Sequence, residues 1–90
     1  MPKRIGPNAV EFQGEFSVRL VSRTQLKYEE DRRVLNVEVE PGDRLAVYLS
    51  AATQWHGTDT GEFLTSQDRA RIGANITLGL SFLRIPHLLA

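Results

Sequence analysis

The chain reads as an α+β domain: an antiparallel β-meander of three to five strands, covered on one face by a single C-terminal α-helix. Three observations carry this reading. Apolar residues alternate with polar ones through most of the first half, as in strands with one buried face. Turn chemistry punctuates the alternation at Gln13-Gly14 and at Pro41-Gly42-Asp43, where proline presets φ and glycine supplies φ > 0. After Thr65, Ile72, Ile76, Leu80 and Leu83 recur at helical spacing. A meander that is greasy on one side needs a cover, and this last segment has the length to supply it.

Residues 1–8 carry two prolines, a glycine and two cations without periodicity, which predicts a flexible tail. Val10, Phe12, Phe16, Val18 and Leu20 then face one way, against Glu11, Gln13, Glu15, Ser17 and Arg19. Gly14 interrupts this run either as a bulge or, the preferred reading, as the turn of a hairpin pivoting at Gln13-Gly14. Leu26 and Tyr28 share the next inner face, and Glu29-Glu30-Asp31-Arg32 is a polar stretch suited to a hairpin loop. Leu35, Val37 and Val39 alternate with Asn36, Glu38 and Glu40, and Leu45, Val47 and Leu49 with Arg44, Ala46 and Tyr48.

Two periods compete after Thr65. Ile72, Ala74, Ile76, Leu78, Leu80 and Phe82 also alternate with polar or small residues, as a strand would. Thr65 stands as an N-cap three residues before Asp68, a variant of the capping box. Asp68 places negative charge where the helix dipole favours it. Gly73 and Gly79 each cost about 1 kcal/mol against alanine in a helix. The cap, the length and the need for a lid outweigh them, so the segment is expected to be helical over roughly 66–83. Pro86 stops it, and Leu88-Leu89 suit a short terminal strand.

A chain of 90 residues holds one domain, expected over 9–90. Lys plus Arg and Asp plus Glu both number 11, so the basic excess of a dedicated nucleic-acid binder is missing. A neutral protein repels its own copies weakly, which leaves a homo-oligomer open. With no cysteine, disulfides, zinc-thiolate sites and thiol catalysis are excluded. The longest apolar run, Leu45-Ala46-Val47-Tyr48-Leu49, is too short for a membrane span. The expectation is a soluble cytoplasmic protein without membrane association.

The layout of meander, tryptophan, loop and then L-T-x-x-[DE]-R-x-R-I-x-x-N-I-x-x-x-L-x-F resembles bacterial polymorphic-toxin immunity protein family seventy-four. The matching positions are Trp55, Leu64, Thr65, Asp68, Arg69, Arg71, Ile72, Asn75, Ile76, Leu80 and Phe82. The hairpin from Leu26 to Tyr28 and from Val34 to Val37 is similar to the family's early strands, so the resemblance spans about residues 18–85. It implies a small protein that neutralises a cognate toxin by binding it. It assigns no toxin-contacting residue, since the shared motif is a folding motif.

Candidate sites follow from residue types. His56, Asp59 and Glu62 form H-x-x-D-x-x-E in one loop, a spacing that matches no strong metal motif; neither metal nor cofactor is expected. No G-x-S-x-G elbow or S-x-x-K motif is present, and no enzyme is expected. Trp55 reads as a plug between the end of the sheet and the helix, with an interface anchor as the alternative. Tyr48 and Arg44 fall on the outer sheet face by alternation, and aromatic and arginine side chains are the commonest interface anchors. Glu29, Glu30 and Asp31 offer an acidic loop that, with Glu38 and Glu40, suits a basic partner. These five residues, Tyr48, Arg44, Glu29, Glu30 and Asp31, are the expected partner-binding set. The reading is a non-enzymatic protein-binding domain. The alternatives are a self-associating structural domain and a small enzyme using the His56–Glu62 loop.

Overall fold

The structure is a computed structural model that describes residues 2–56 and 62–90. One seven-stranded sheet follows chain order throughout: β1 (Pro2–Gly6), β2 (Ala9–Phe12), β3 (Phe16–Leu20), β4 (Gln25–Glu30), β5 (Arg33–Glu40), β6 (Leu45–Val47) and β7 (His87–Leu89). The helix α1 spans Ser66–Phe82. The α+β class and the single C-terminal helix are as the sequence predicts, but the strand count exceeds the expected three to five. The first five strands pair antiparallel; β6 pairs antiparallel with β5 and parallel with β7.

The extra strands lie at the two edges. Residues 2–6, read from sequence as a tail, pair with β2 through Pro2↔Phe12, Lys3↔Glu11 and Arg4↔Val10. The main chain joins the sheet while the side chains of residues 2–5 stay exposed. A strand held by backbone bonds without burial leaves no apolar alternation to read. At the other edge, the chain returns from α1 and adds β7 beside β6, with Leu45↔His87 and Val47↔Leu89.

The β2–β3 hairpin turns at Gly14, whose φ of 77° is glycine's own territory. The β4–β5 turn is tighter than the four-residue loop expected. Asp31 and Arg32 sit at φ 54° and 66°, a pair of left-handed residues typical of a two-residue turn. The ladder therefore continues to Glu30↔Arg33, and Glu29 and Glu30 belong to the strand. β5 is the longest strand, with 8 residues. Its first part pairs with β4 and its end with β6 at Val39↔Val47 and Glu40↔Ala46, so the sheet curls about it.

Thr65 caps α1 as predicted. Its Oγ1 accepts from the Asp68 N–H at 3.0 Å, and its own N–H donates to Asp68 Oδ2 at 3.0 Å, completing a capping box. Ile72, Gly73, Ile76, Gly79 and Leu80 form the buried face, while Leu78 and Phe82 remain exposed. The strand-like alternation after Ile72 thus comes from three apolar residues, Ala74, Leu78 and Phe82, on the outer side of a helix. The helix closes a core of Val10, Val18, Leu26, Tyr28, Leu35, Val37 and Val47 from the sheet with Ile72, Ile76 and Leu80, all fully or almost fully buried.

Candidate binding surface

The most organised polar structure lies where the N-terminal half of α1 meets the β4–β5 hairpin. Register explains how it arises. Leu26, Tyr28 and Glu30 alternate onto one face of β4, and the first two are core residues. Glu30 therefore points inward, toward the helix, at the rim of the core. Its side chain is only 13% exposed, so desolvation must be offset by partners.

Those partners come from three elements. Arg71 donates from Nε to Glu30 Oε1 at 2.9 Å and from Nη2 to Oε2 at 2.7 Å, the two-pronged geometry that a guanidinium makes best. Arg71 Nη2 also reaches Asp68 Oδ1 at 3.0 Å. Tyr28 donates its hydroxyl proton to Glu30 Oε1 at 2.6 Å and accepts from Asn75 Nδ2 at 2.9 Å. Arg33 donates to Glu30 Oε2 and to Glu62 Oε2, each at 3.3 Å. Its guanidinium carbon also lies 4.3 Å above the Trp55 ring, a cation–π contact.

An aromatic row backs this network. Phe12 stacks on Phe16 at 4.5 Å, Phe16 on Tyr28 at 5.9 Å, and Tyr28 lies 6.5 Å from Trp55. Trp55 is 3% exposed and joins the core, as its reading as a plug predicts. The motif positions Trp55, Asp68, Arg71 and Asn75 thus converge with Tyr28, Glu30 and Arg33 on one rim. Sequence reasoning missed this convergence, because Glu30 and Arg71 stand 41 residues apart and Tyr28 and Asn75 stand 47 apart. The continued alternation Leu26-x-Tyr28-x-Glu30 was the available signal that Glu30 faces inward.

The electrostatics follow from this packing. Burial alone would raise the Glu30 carboxyl, but the hydrogen bonds from Arg71 and Tyr28 and the two guanidinium charges overcome it and hold the group below the usual carboxylate range. The Thr65 backbone N–H, assisted by Arg71, lowers Asp68. The hydrogen bond to Glu30 raises Arg71 still further from neutrality. Burial, followed by the bond to Glu30, raises the Tyr28 phenol.

The five sequence-predicted binding residues do not form one patch. Glu30 is held inside the rim network. Glu29 is exposed on the outer face, 3.3 Å from Lys27 Nζ, and Asp31 is exposed in the turn. Arg44 and Tyr48 flank β6 at opposite ends. Arg44 is exposed, whereas Tyr48 is half-buried and leaves the ladder at ψ 60° to begin a 3-10 turn over Leu49–Ala51. Of the loop considered for metal binding, Asp59 lies outside the described residues. His56 is exposed, its backbone N–H donating to the Val34 carbonyl at 2.7 Å, and the Glu62 carboxylate faces Arg33. Among the described residues, no helix is long and apolar enough to cross a membrane.

Compared with protein-family models, curated proteins and solved structures, the chain matches none.

Proposed function

We propose that this chain is a non-enzymatic protein-binding domain, and specifically an immunity protein that neutralises a cognate bacterial toxin by direct binding. The observation that supports it is the hydrogen-bonded lock of Glu30 with Arg71 and Tyr28, and of Tyr28 with Asn75. The pKa values of Glu30 and Asp68 are lowered, while those of Tyr28 and Arg71 are raised. All four move away from neutral pH, so each keeps one protonation state there. General acid–base work requires the opposite tuning, toward the operating pH. These groups lock the helix to the hairpin and present a rigid surface, as stoichiometric inhibition requires. The motif that resembles the immunity family supplies the helix side of that lock.

The experiment is co-expression with the product of the gene next door. Protection of the host by the wild type, with capture of that product, supports the reading. Failure to bind or protect sinks it. Surface variants for this test are Tyr48→Ala and a Glu29→Lys/Asp31→Lys pair, which spare the Glu30 network.

Self-association is the second reading, and β7 favours it. That strand ends the sheet and exposes Leu88 and Leu89 at 43% and 44%. Open edges with apolar side chains pair readily with other chains. A molecular mass in solution that doubles with concentration would establish it.

A further inference from the structure

We propose that the β7 edge, together with Arg44 and Arg84, is the docking site for an extended acidic segment of a protein partner. This deepens the binding-protein reading and rests on it.

Three independent observations meet there. The first is an open ladder. Leu45 N–H donates to the Pro86 carbonyl at 2.8 Å, and Ala90 N–H donates to the Val47 carbonyl at 2.7 Å. Residues 86, 88 and 90 therefore face β6, and by strand alternation the N–H and C=O groups of His87 and Leu89 point off the end of the sheet. A free edge of this kind accepts an added strand, with main-chain bonds supplying affinity and flanking side chains supplying specificity.

The second observation is charge. Arg44 and Arg84 line one groove with Ser81, Ile85, Pro86 and His87. The β6–β7 register sets Leu45 beside His87, which brings Arg44 to the mouth of the parallel pair. Arg33, Arg71 and Lys27 are each matched to a carboxylate. Neither Arg44 nor Arg84 makes a side-chain hydrogen bond or ion pair among the described residues, and this includes Asp43, the acid next to Arg44. Guanidinium groups recognise carboxylates by paired hydrogen bonds.

The third is the backbone at Arg84. The helix ends in a Schellman motif: Ile85 N–H donates to the Leu80 carbonyl at 2.9 Å, and Arg84 N–H donates to the Ser81 carbonyl at 3.0 Å. Arg84 holds the left-handed position at φ 60°, where glycine is the usual occupant. Arg84 is exposed and bears that conformational cost, as expected of a side chain that serves a ligand.

Charge complementarity selects the occupant: a strand whose alternate carboxylates meet Arg44 and Arg84 while its backbone pairs with His87 and Leu89. The test is amide and arginine Nε NMR of the labelled protein, titrated with a synthetic peptide of alternating Glu and Val. The expected result is shifts confined to residues 44 and 81–89, an affinity at least tenfold weaker for R44Q/R84Q, and a similar loss when Gln replaces Glu in the peptide. Arg84→Gly separates function from fold, because it should raise the melting temperature and still weaken the peptide. The proposal is overturned by silence up to millimolar peptide, by equal binding of the Gln peptide, or by inorganic phosphate reproducing the same shifts. Concentration-dependent shifts at β7 without peptide would assign the edge to a second copy and also overturn it. If the neighbouring gene's product binds wild type and R44Q/R84Q equally, this site fails and the immunity reading stands. If the peptide docks while no neighbour binds, the immunity reading fails and the site stands.

Discussion

Gly79 of the helix lies directly against Val18 of β3. A Cβ built on Gly79 would fall 2.7 Å from Val18 Cγ2 and 2.9 Å from its Cβ, closer than packed carbons approach. The glycine that weakens the helix in isolation is what lets the helix settle on the sheet.

Gly79→Ala should therefore destabilise the domain, although alanine is the better helix former by about 1 kcal/mol. Overpacking a core contact costs about 1–3 kcal/mol, so a net loss of up to about 2 kcal/mol is expected in urea denaturation. Gly73 is the control. Its added Cβ would meet only the Leu89 and Leu49 methyl tips, at 3.3 and 3.4 Å, so Gly73→Ala should be close to neutral. Equal effects at the two positions would refute the close-approach account.

Ile76 is fully buried among residues from both sheet and helix. Ile76→Ala should cost about 2–5 kcal/mol, enough to threaten a domain of this size. A thermal melt checks it, and an unchanged midpoint would mean that the helix does not close the core.

The Glu30–Arg71 and Asp68–Thr65 pairings make stability depend on acid. Both carboxyls are lowered in the folded state, so their contribution is fully present above the unfolded-state values of about 4. It is lost as pH falls through the lower folded values. Melting temperature should hold near neutrality and drop below about pH 4. Glu30→Gln should be less stable at pH 7 by about 1–3 kcal/mol and show a shallower acid decline. An identical pH slope in the variant would remove Glu30 from the explanation.

Arg32 occupies the second left-handed position of the β4–β5 turn, at φ 66°. For a residue with a Cβ this conformation costs about 1–2 kcal/mol. Arg32→Gly should raise stability by about 1 kcal/mol after the added unfolded-state entropy of glycine is counted. Circular dichroism melts decide it, and a lower midpoint would show that the Arg32 side chain contributes to the fold.

Local chemistry determined much of this protein by itself. Alternation placed the inner faces of β2 through β6, Gly14 placed a turn, and Thr65 with Asp68 placed the helix start to the residue, because each is decided by neighbours a few positions away. Of the edge strands, β7 was expected at Leu88-Leu89 without its partner being legible, and β1 was read as a tail. β1 joins by main-chain pairing with its side chains largely exposed, and β7 becomes a strand only because α1 returns the chain beside β6. The Asp31-Arg32 turn lacks the glycine that would announce it, so Glu29 and Glu30 read as loop. Gly79 counted against the helix until Val18 was seen beneath it. The rim network depended on tertiary structure most of all. Tyr28 and Glu30 meet Arg71 and Asn75 only when the helix crosses the sheet, and neither half carries a pattern that names the other. Short-range periodicity records which face of an element is buried; which element lies against that face is decided only by packing.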